Sequence, residues 1–263
     1  MSIISVLSGG YCHGDEVVHK VAETLDFQIL DDLEIARRAS ERYGVPLKKL
    51  QRTLSGRVSA FNAFTNERQQ NTSYLKAVVA ELLTESNCIL WGSSGRLIPG
   101  QISHVLGVCI VAGFDYRCEQ VMQEQGVSKK EALRIVQKDD EAPMLWTDHV
   151  LGKSPWDADI YDVFIPVDQV GVTKSIDLIC ESANSEALES TPDSLQTAKD
   201  FQLAAGVEIL LGKAGHDVAV SVKAGKAILT IDKHTIMLSR LEEELKRIVA
   251  GVDGVREVET KVG

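Results

Sequence analysis

Long apolar runs are absent from this sequence of 263 residues. None approaches ~18 residues, the length expected of a membrane-spanning helix, so we expect no transmembrane segment. The N-terminus has no basic region, and its apolar stretch ends at Gly9, which is too short for a signal peptide. These absences predict a cytoplasmic protein.

Cysteine is also scarce, and the 5 cysteines have no C-x-x-C spacing. They are Cys12, Cys88, Cys109, Cys118 and Cys180. An odd number, mostly inside apolar segments, indicates buried free thiols in a reducing compartment. The sequence contains neither G-x-S-x-G nor H-E-x-x-H, and the spacing of Cys12, His13 and His19 is not that of a known ligand set. We therefore expect no bound metal.

Positive charge is in deficit, and the formal net charge is −10. The first 195 residues hold 18 Lys and Arg against 28 Asp and Glu, and the remaining residues hold 10 of each. A surface this acidic repels phosphate backbones. We expect no nucleic-acid partner.

Short β-rich runs alternate with amphipathic helical stretches over the first 185 residues. The pattern predicts strands at 3–8, 27–30, 88–91, 105–111 and 162–167, and helices at 15–25, 32–43, 46–54, 71–86, 114–125, 128–139 and 172–183. The strands at 88–91 and 105–111 are apolar on both faces, as strands covered by helices on both sides are. An α/β fold with a parallel sheet follows.

A polar, proline-containing segment interrupts this pattern, and we interpret residues 186–195 as a linker. Beyond it we predict a helix at 195–211, strands at 218–222 and 227–231, a helix at 235–250 and a strand at 255–262. This order predicts two domains, 1–185 and 196–263, the second a small α+β domain with a hairpin.

Residues 7–16 read L-S-G-G-Y-C-H-G-D-E between the first strand and the first helix. Gly9 and Gly14 have the spacing of a phosphate-binding P-loop, but Asp15 and Glu16 stand where Lys and Ser or Thr belong. The backbone N–H groups can still form an anion cradle at a helix N-terminus. The two carboxylates either oppose a polyphosphate or serve as ordinary partners of the helix dipole.

The order of strand, glycine loop, helix and strand, followed by Leu30-Asp31-Asp32, is similar to that of nucleoside monophosphate kinases and resembles most the cytidylate kinase-like family. Residues 88–92, 114–122, 126–128 and 156–165 extend the resemblance over residues 1 to about 185. It implies a three-layer P-loop kinase fold, with ATP and Mg²⁺ as cofactors. A nucleotide or another small anion is the expected partner.

The resemblance also implies three sets of site residues. Those expected to bind the nucleotide are Gly9, Gly10, Tyr11, Cys12, His13, Gly14, Asp15 and Glu16; those near the acceptor are Asp31, Ser93 and Arg96; and the catalytic candidates are Asp32, Arg117 and Arg134.

Other interpretations of these residues stay open. Asp31 and Glu34 match a helix-capping pattern, and both Arg117 and Arg134 could lie on solvated helix faces. The family's Gly-Arg becomes Gly-Ser-Ser-Gly-Arg at 92–96, and the expected lid between Lys138 and Trp156 has no arginine.

The second domain is similar to the BON domain in its αββαβ order and its closing Gly251-Val252-x-Gly254-Val255 segment. That resemblance implies phospholipid or other ligand binding. The alternative is a folding or dimerisation module, which would make the protein a homo-oligomer.

Three functions follow from these patterns. The first is a degenerate, kinase-like nucleotide or anion sensor or regulator with weak or no phosphotransfer. The second is an active nucleoside monophosphate kinase that transfers the ATP γ-phosphate to a small acceptor. The third is a non-enzymatic scaffold.

Overall fold

A computed structural model describes residues 2–57, 66–85, 87–231 and 238–263. The strands are β1 (Ile3–Ser8), β2 (Gln28–Asp31), β3 (Cys88–Trp91), β4 (Val105–Val111), β5 (Val163–Pro166), β6 (Ala219–Lys223), β7 (Lys226–Ile231) and β8 (Glu257–Val262). The α-helices are α1 (Gly14–Leu25), α2 (Asp32–Tyr43), α3 (Leu47–Leu54), α4 (Glu67–Glu85), α5 (Phe114–Gln125), α6 (Lys129–Leu151), α7 (Val167–Val170), α8 (Val172–Ala183), α9 (Pro192–Lys213) and α10 (Leu238–Val249). Short 3₁₀ helices cover Ser94–Leu97, Ala158–Ile160 and Glu186–Leu188.

The larger sheet has five strands in the order β2-β3-β1-β4-β5, and every pairing is parallel. Its central strand β1 is buried along nearly its whole length. Successive side chains of a strand point to opposite faces, so Ile3 packs into one apolar cluster and Ile4 into another. Helices cover both faces, and the predicted α/β fold with a parallel sheet is confirmed.

Two helices of this part are longer than predicted. Helix α4 begins at Glu67, not at 71, and α6 runs from Lys129 to Leu151, not to 139. Ser128 caps α6 by accepting a hydrogen bond from the Glu131 N–H, and Gly152, with φ of 63°, ends it. The segment expected as a lid after Lys138 therefore continues a regular helix through Pro143.

The second sheet has three strands in the order β6-β7-β8. Strands β6 and β7 form an antiparallel hairpin, and β7 pairs with β8 in parallel. Ala224 and Gly225 form the turn, and their φ angles are 49° and 80°. Two-residue hairpin turns commonly have positive φ at both central residues. The start of the helix predicted at 235–250 lies outside the described residues, and its described part is α10.

Helix α9 contributes to both hydrophobic cores. Ala198 is buried in the core beside the large sheet, whereas Val207 and Leu211 are buried in the core of the small sheet. Polar contacts also join α9 to α4: Lys76 forms an ion pair with Glu208 at 3.0 Å, and Gln70 Nε2 donates to the Gly212 carbonyl at 3.0 Å.

The segment predicted as a linker is partly helical. It contains the 3₁₀ turn Glu186–Leu188 and, from residue 192, the beginning of α9, where Thr191 and Ser194 cap each other's backbone N–H groups. Among the described residues, no helix is both long and apolar enough to cross a membrane.

Candidate functional site

A cavity of about 750 Å³ opens at the carboxyl ends of β1, β2 and β3. The glycine loop, the first residues of α2 and the turn at 92–93 form one part of its lining. Helices α3, α5 and α6 contribute the rest. In open parallel sheets, ligands bind in the crevice at the carboxyl ends of the strands, where connections run to both sides. The cavity has this position, because β3 and β4 flank β1 on opposite sides.

The glycine loop joins β1 to α1 in a tight backbone arrangement. Tyr11 and His13 have φ of 62° and 53°, in the left-handed region that side chains usually avoid. A Cβ on Gly14 would lie 2.5 Å from the Ser8 Cβ, so any residue other than glycine at this position must displace Ser8. The N-cap residue of α1, His13, makes no side-chain capping hydrogen bond. The first N–H groups of α1 are thus left for another acceptor.

Asp139 of α6 occupies the space beside this loop. A Cβ on Gly10 would lie 1.8 Å from Asp139 Oδ2, which shows how closely the carboxylate approaches the glycine. Burial raises the pKa of Asp139, Asp140 raises it further, and Arg117 and the Gly10 backbone N–H lower it. The carboxylate of the protein itself therefore lies where an anion held by the loop would approach Gly10.

Arg117 of α5 connects the loop to α6. Its Nε donates to the Gly10 carbonyl at 2.7 Å, and its two terminal nitrogens donate to the Asp140 carboxylate at 2.8 and 2.9 Å. The Arg117 side chain is only 8% exposed. The predicted catalytic arginine is thus beside the glycine loop, but a bidentate ion pair occupies its terminal nitrogens.

Asp15 and Glu16 lie on the outer surface of α1. Their side chains are 77% and 65% exposed, and they pair with His19 and His13 at 3.4 and 3.6 Å. His13 Nε2 also shares a hydrogen bond with the Tyr116 hydroxyl at 2.9 Å. Water screens exposed carboxylates, so their effect on a ligand is weaker than the sequence suggests. Asp15 lines the cavity, and Glu16 does not.

Asp31 and Asp32 have different roles in the structure. Asp31 caps α2 by accepting a hydrogen bond from the Glu34 N–H at 2.7 Å, which is the capping pattern noted in the sequence. Asp32 is turned toward the cavity and accepts hydrogen bonds from the N–H groups of Ser93 and Ser94, both at 2.8 Å. Burial raises the pKa of Asp32, and these two N–H groups lower it. Asp32 therefore holds the turn after β3 in place.

Two predicted site residues lie elsewhere. Arg96 is buried and lines a different cavity, with Ser5 and Tyr161. Arg134 is exposed on α6 and does not line the glycine-loop cavity. Cys12 is buried under the loop, and burial raises the pKa of its thiol to about 11, which makes it an inert packing group.

The lining of the glycine-loop cavity is acidic. Among the described residues its lining includes four carboxylates and neither Lys nor Arg; the acids are Asp15, Asp32, Glu124 and Asp139. The sequence shows that the expected lid is acidic, but not that Asp139 reaches Gly10. The adjacent pair Asp139-Asp140 is the sequence feature that could have indicated this contact. Neighbouring residues of a helix point in different directions, and here Asp140 contacts Arg117 while Asp139 contacts the loop.

A solved structure has a similar architecture. An uncharacterized protein from Eubacterium ventriosum ATCC 27560 is similar in fold, with a TM-score of 0.51 and 17% identity over 71% of this chain and 100% of its own. Shikimate kinases from Bacteroides thetaiotaomicron (TM-score 0.41, 12% identity, 70% of this chain and 99% of theirs) and from Acinetobacter baumannii (TM-score 0.35, 13% identity, 70% and 96%) are more distant.

Sequence comparisons give two further findings. No match is found among curated proteins. The model of the cytidylate kinase-like family matches residues 3–169, which contain the whole parallel sheet and the glycine loop. The chain therefore belongs to the cytidylate kinase-like family.

Proposed function

We propose that this protein is a nucleotide- or anion-responsive regulator on a kinase fold, with weak or no phosphotransfer. The observation that carries the proposal is the position of Asp139 against Gly10, in a cavity whose described lining has no lysine or arginine. The loop keeps a backbone suited to an anion, and the protein's own carboxylate competes for it.

Weak phosphotransfer follows from the missing positive charge. Phosphoryl transfer depends almost entirely on positioning and on cations that stabilise charge on the transferring group. Arg117 is the arginine beside the loop, and Asp140 binds its terminal nitrogens. Arg134 and Arg96 are not in this cavity. The described cavity lining therefore offers no arginine to a transferred phosphoryl group.

The described residues do not fit a resident Mg²⁺ site. No group of three or more His, Cys, Asp or Glu side chains is placed to hold a metal ion in the described part of the chain. Asp32 uses both carboxylate oxygens to accept backbone N–H groups. Asp139 is engaged with the loop and Arg117. Mg²⁺ would have to arrive with a nucleotide.

Binding of an anion is expected to displace Asp139 from the loop. A carboxylate about 4–6 Å from a bound phosphate costs several kcal/mol at an effective dielectric near 20. Asp139 belongs to the long helix α6. Its displacement by an anion in the loop would therefore shift α6 and the Asp140–Arg117 ion pair. The small C-terminal domain would be the output or assembly module.

Calorimetry with ATP and with ADP, with and without magnesium, tests the binding part of the proposal. Asp139→Asn should raise nucleotide affinity by at least about tenfold, or ~1.4 kcal/mol. The matched control is Glu141→Gln, which removes the same charge from an exposed position of α6 outside the cavity lining. Asp15→Lys with Glu16→Ser, which restores the P-loop pair, should also increase affinity.

The alternatives are outcomes of the same tests. An active nucleoside monophosphate kinase is favoured by the retained glycine spacing, and turnover of about 1–1000 per second with ATP and CMP, UMP, AMP or GMP would establish it in place of our proposal. Absence of binding in the native protein and in both variants would show that the loop has lost its cradle, and the scaffold function would then hold.

A further inference from the structure

A second cavity of about 840 Å³ shares none of its lining residues with the glycine-loop cavity. Its walls come from β1, from the segment that joins β3 to β4, from residues 151–163 and from the end of α8 and the turn after it. None of these lining residues has a part in the function proposed above.

Arg96 is the unusual residue of this cavity, because it is 94% buried yet almost unpaired: only 6% of it is exposed. Its Nη2 donates to the Ser5 Oγ at 3.0 Å, and its Nε has no hydrogen-bond partner. The guanidinium carbon lies 4.5 Å from the centre of the Tyr161 ring, which covers one face. Among the described residues, no carboxylate lies within ion-pair distance of it, and Asp162 attracts it only from farther away.

A buried cation without a partner is costly. Charged groups in protein interiors are normally paired and hydrogen-bonded, and an unpaired one costs several kcal/mol. The cation–π contact with Tyr161 offsets part of this cost. The Arg96 Nε is therefore a donor left for an acceptor that enters the cavity.

The neighbouring charged groups are already occupied. Lys153 Nζ donates to Asp159 Oδ2 at 2.6 Å, and Asp162 Oδ2 accepts the Gly107 N–H at 2.6 Å. Arg96 is thus the one cation of the described lining without a carboxylate partner, and it matches a single negative charge. A phosphate dianion would need more donors and would face Asp159 and Asp162.

Aliphatic side chains and several serines make up most of the remaining lining. Ile102 and Leu106 are buried in the wall, and Ile98, Leu151 and Leu188 complete it. We propose that this cavity binds a small organic monocarboxylate, with the carboxylate on Arg96 and an apolar body against these aliphatic side chains. The planar guanidinium fork fits a planar carboxylate, which a lysine ammonium would not match.

Isothermal titration calorimetry on the full chain tests the proposal with three probes: octanoate, the uncharged octanamide and inorganic phosphate. We expect octanoate to bind and the other two to bind at least about tenfold more weakly, or ~1.4 kcal/mol. Arg96→Met should abolish octanoate binding. Arg134→Met, the same exchange on the exposed face of α6, should leave it unchanged.

A second variant keeps the test decisive if Arg96→Met does not fold. Gly100 lines the cavity and a Cβ on it would meet nothing within 4 Å, so Gly100→Trp adds a bulky side chain at the cavity without a backbone clash. It should weaken octanoate binding by about tenfold or more. Octanoate that binds equally well to Gly100→Trp, octanamide that binds as tightly as octanoate, or phosphate that binds more tightly than octanoate would each overturn the proposal.

Discussion

Replacing Arg117 by methionine should destabilise the protein strongly, because it leaves a carboxylate without its partner. In the native protein the Arg117 and Asp140 side chains are 8% and 22% exposed and share two hydrogen bonds at 2.8 and 2.9 Å. Breaking a buried ion pair by removing one partner costs 3–5 kcal/mol, and we take about 3 kcal/mol because Asp140 is partly hydrated.

This loss can be measured as a fall in the melting temperature. For a domain of this size, about 1 kcal/mol corresponds to roughly 2–4 °C, so Arg117→Met should melt about 6–12 °C below the native protein. Differential scanning calorimetry gives the value, and Arg134→Met is the matched control on an exposed helix face. We expect the control to change the melting temperature by about 2 °C at most, since exposed substitutions usually stay within about 0.5 kcal/mol.

A double variant separates the ion pair from packing. Arg117→Met combined with Asp140→Leu removes both charges, and apolar replacement of a whole buried pair is often neutral or stabilising. The double variant should therefore be more stable than Arg117→Met alone. If Arg117→Met melts like Arg134→Met, or if the two changes are simply additive, the ion pair does not hold α5 and α6 to the glycine loop as argued.

Three further predictions follow from the site and the domain arrangement. Gly14→Ala should destabilise the protein by about 1–3 kcal/mol, since its Cβ would lie 2.5 Å from the Ser8 Cβ, and Ser8→Gly should restore most of the loss in urea unfolding. Sulfate keeps its charge in this pH range and should bind the glycine loop more tightly as pH falls through the raised pKa of Asp139, because the protonated carboxyl no longer repels it. Asp139→Asn should remove this pH dependence of sulfate affinity. Calorimetry that shows the same pH dependence in the variant would contradict the prediction. Limited proteolysis should cut between residues 185 and 191. The two fragments should co-elute on size-exclusion chromatography, because α9 packs on α4. Separate peaks would contradict that packing.

Part of the candidate site could be read from the sequence because it depends on neighbours in the chain. The glycine spacing, the Asp31 cap and the acidic pair after Lys138 are all local patterns, and the structure contains each of them. The sequence does not show that the Asp139 carboxylate reaches Gly10 of the loop. Asp15 and Glu16 are close to Gly14 in the sequence, yet both side chains are mainly in solvent.

Chain-local chemistry therefore determined the parallel α/β sheet, the order of its elements and the glycine loop, because alternating and continuous apolar runs set which faces must be buried. Tertiary structure alone decided that Asp139 lies against Gly10 across 129 positions of sequence, that Asp140 binds Arg117, and that Arg96 is turned into a separate cavity. The physical reason is that the packing of α6 on α5 sets the direction of each side chain. Successive side chains of a helix are rotated by about 100° around its axis. One position more or less along α6 would have aimed a different side chain at the loop.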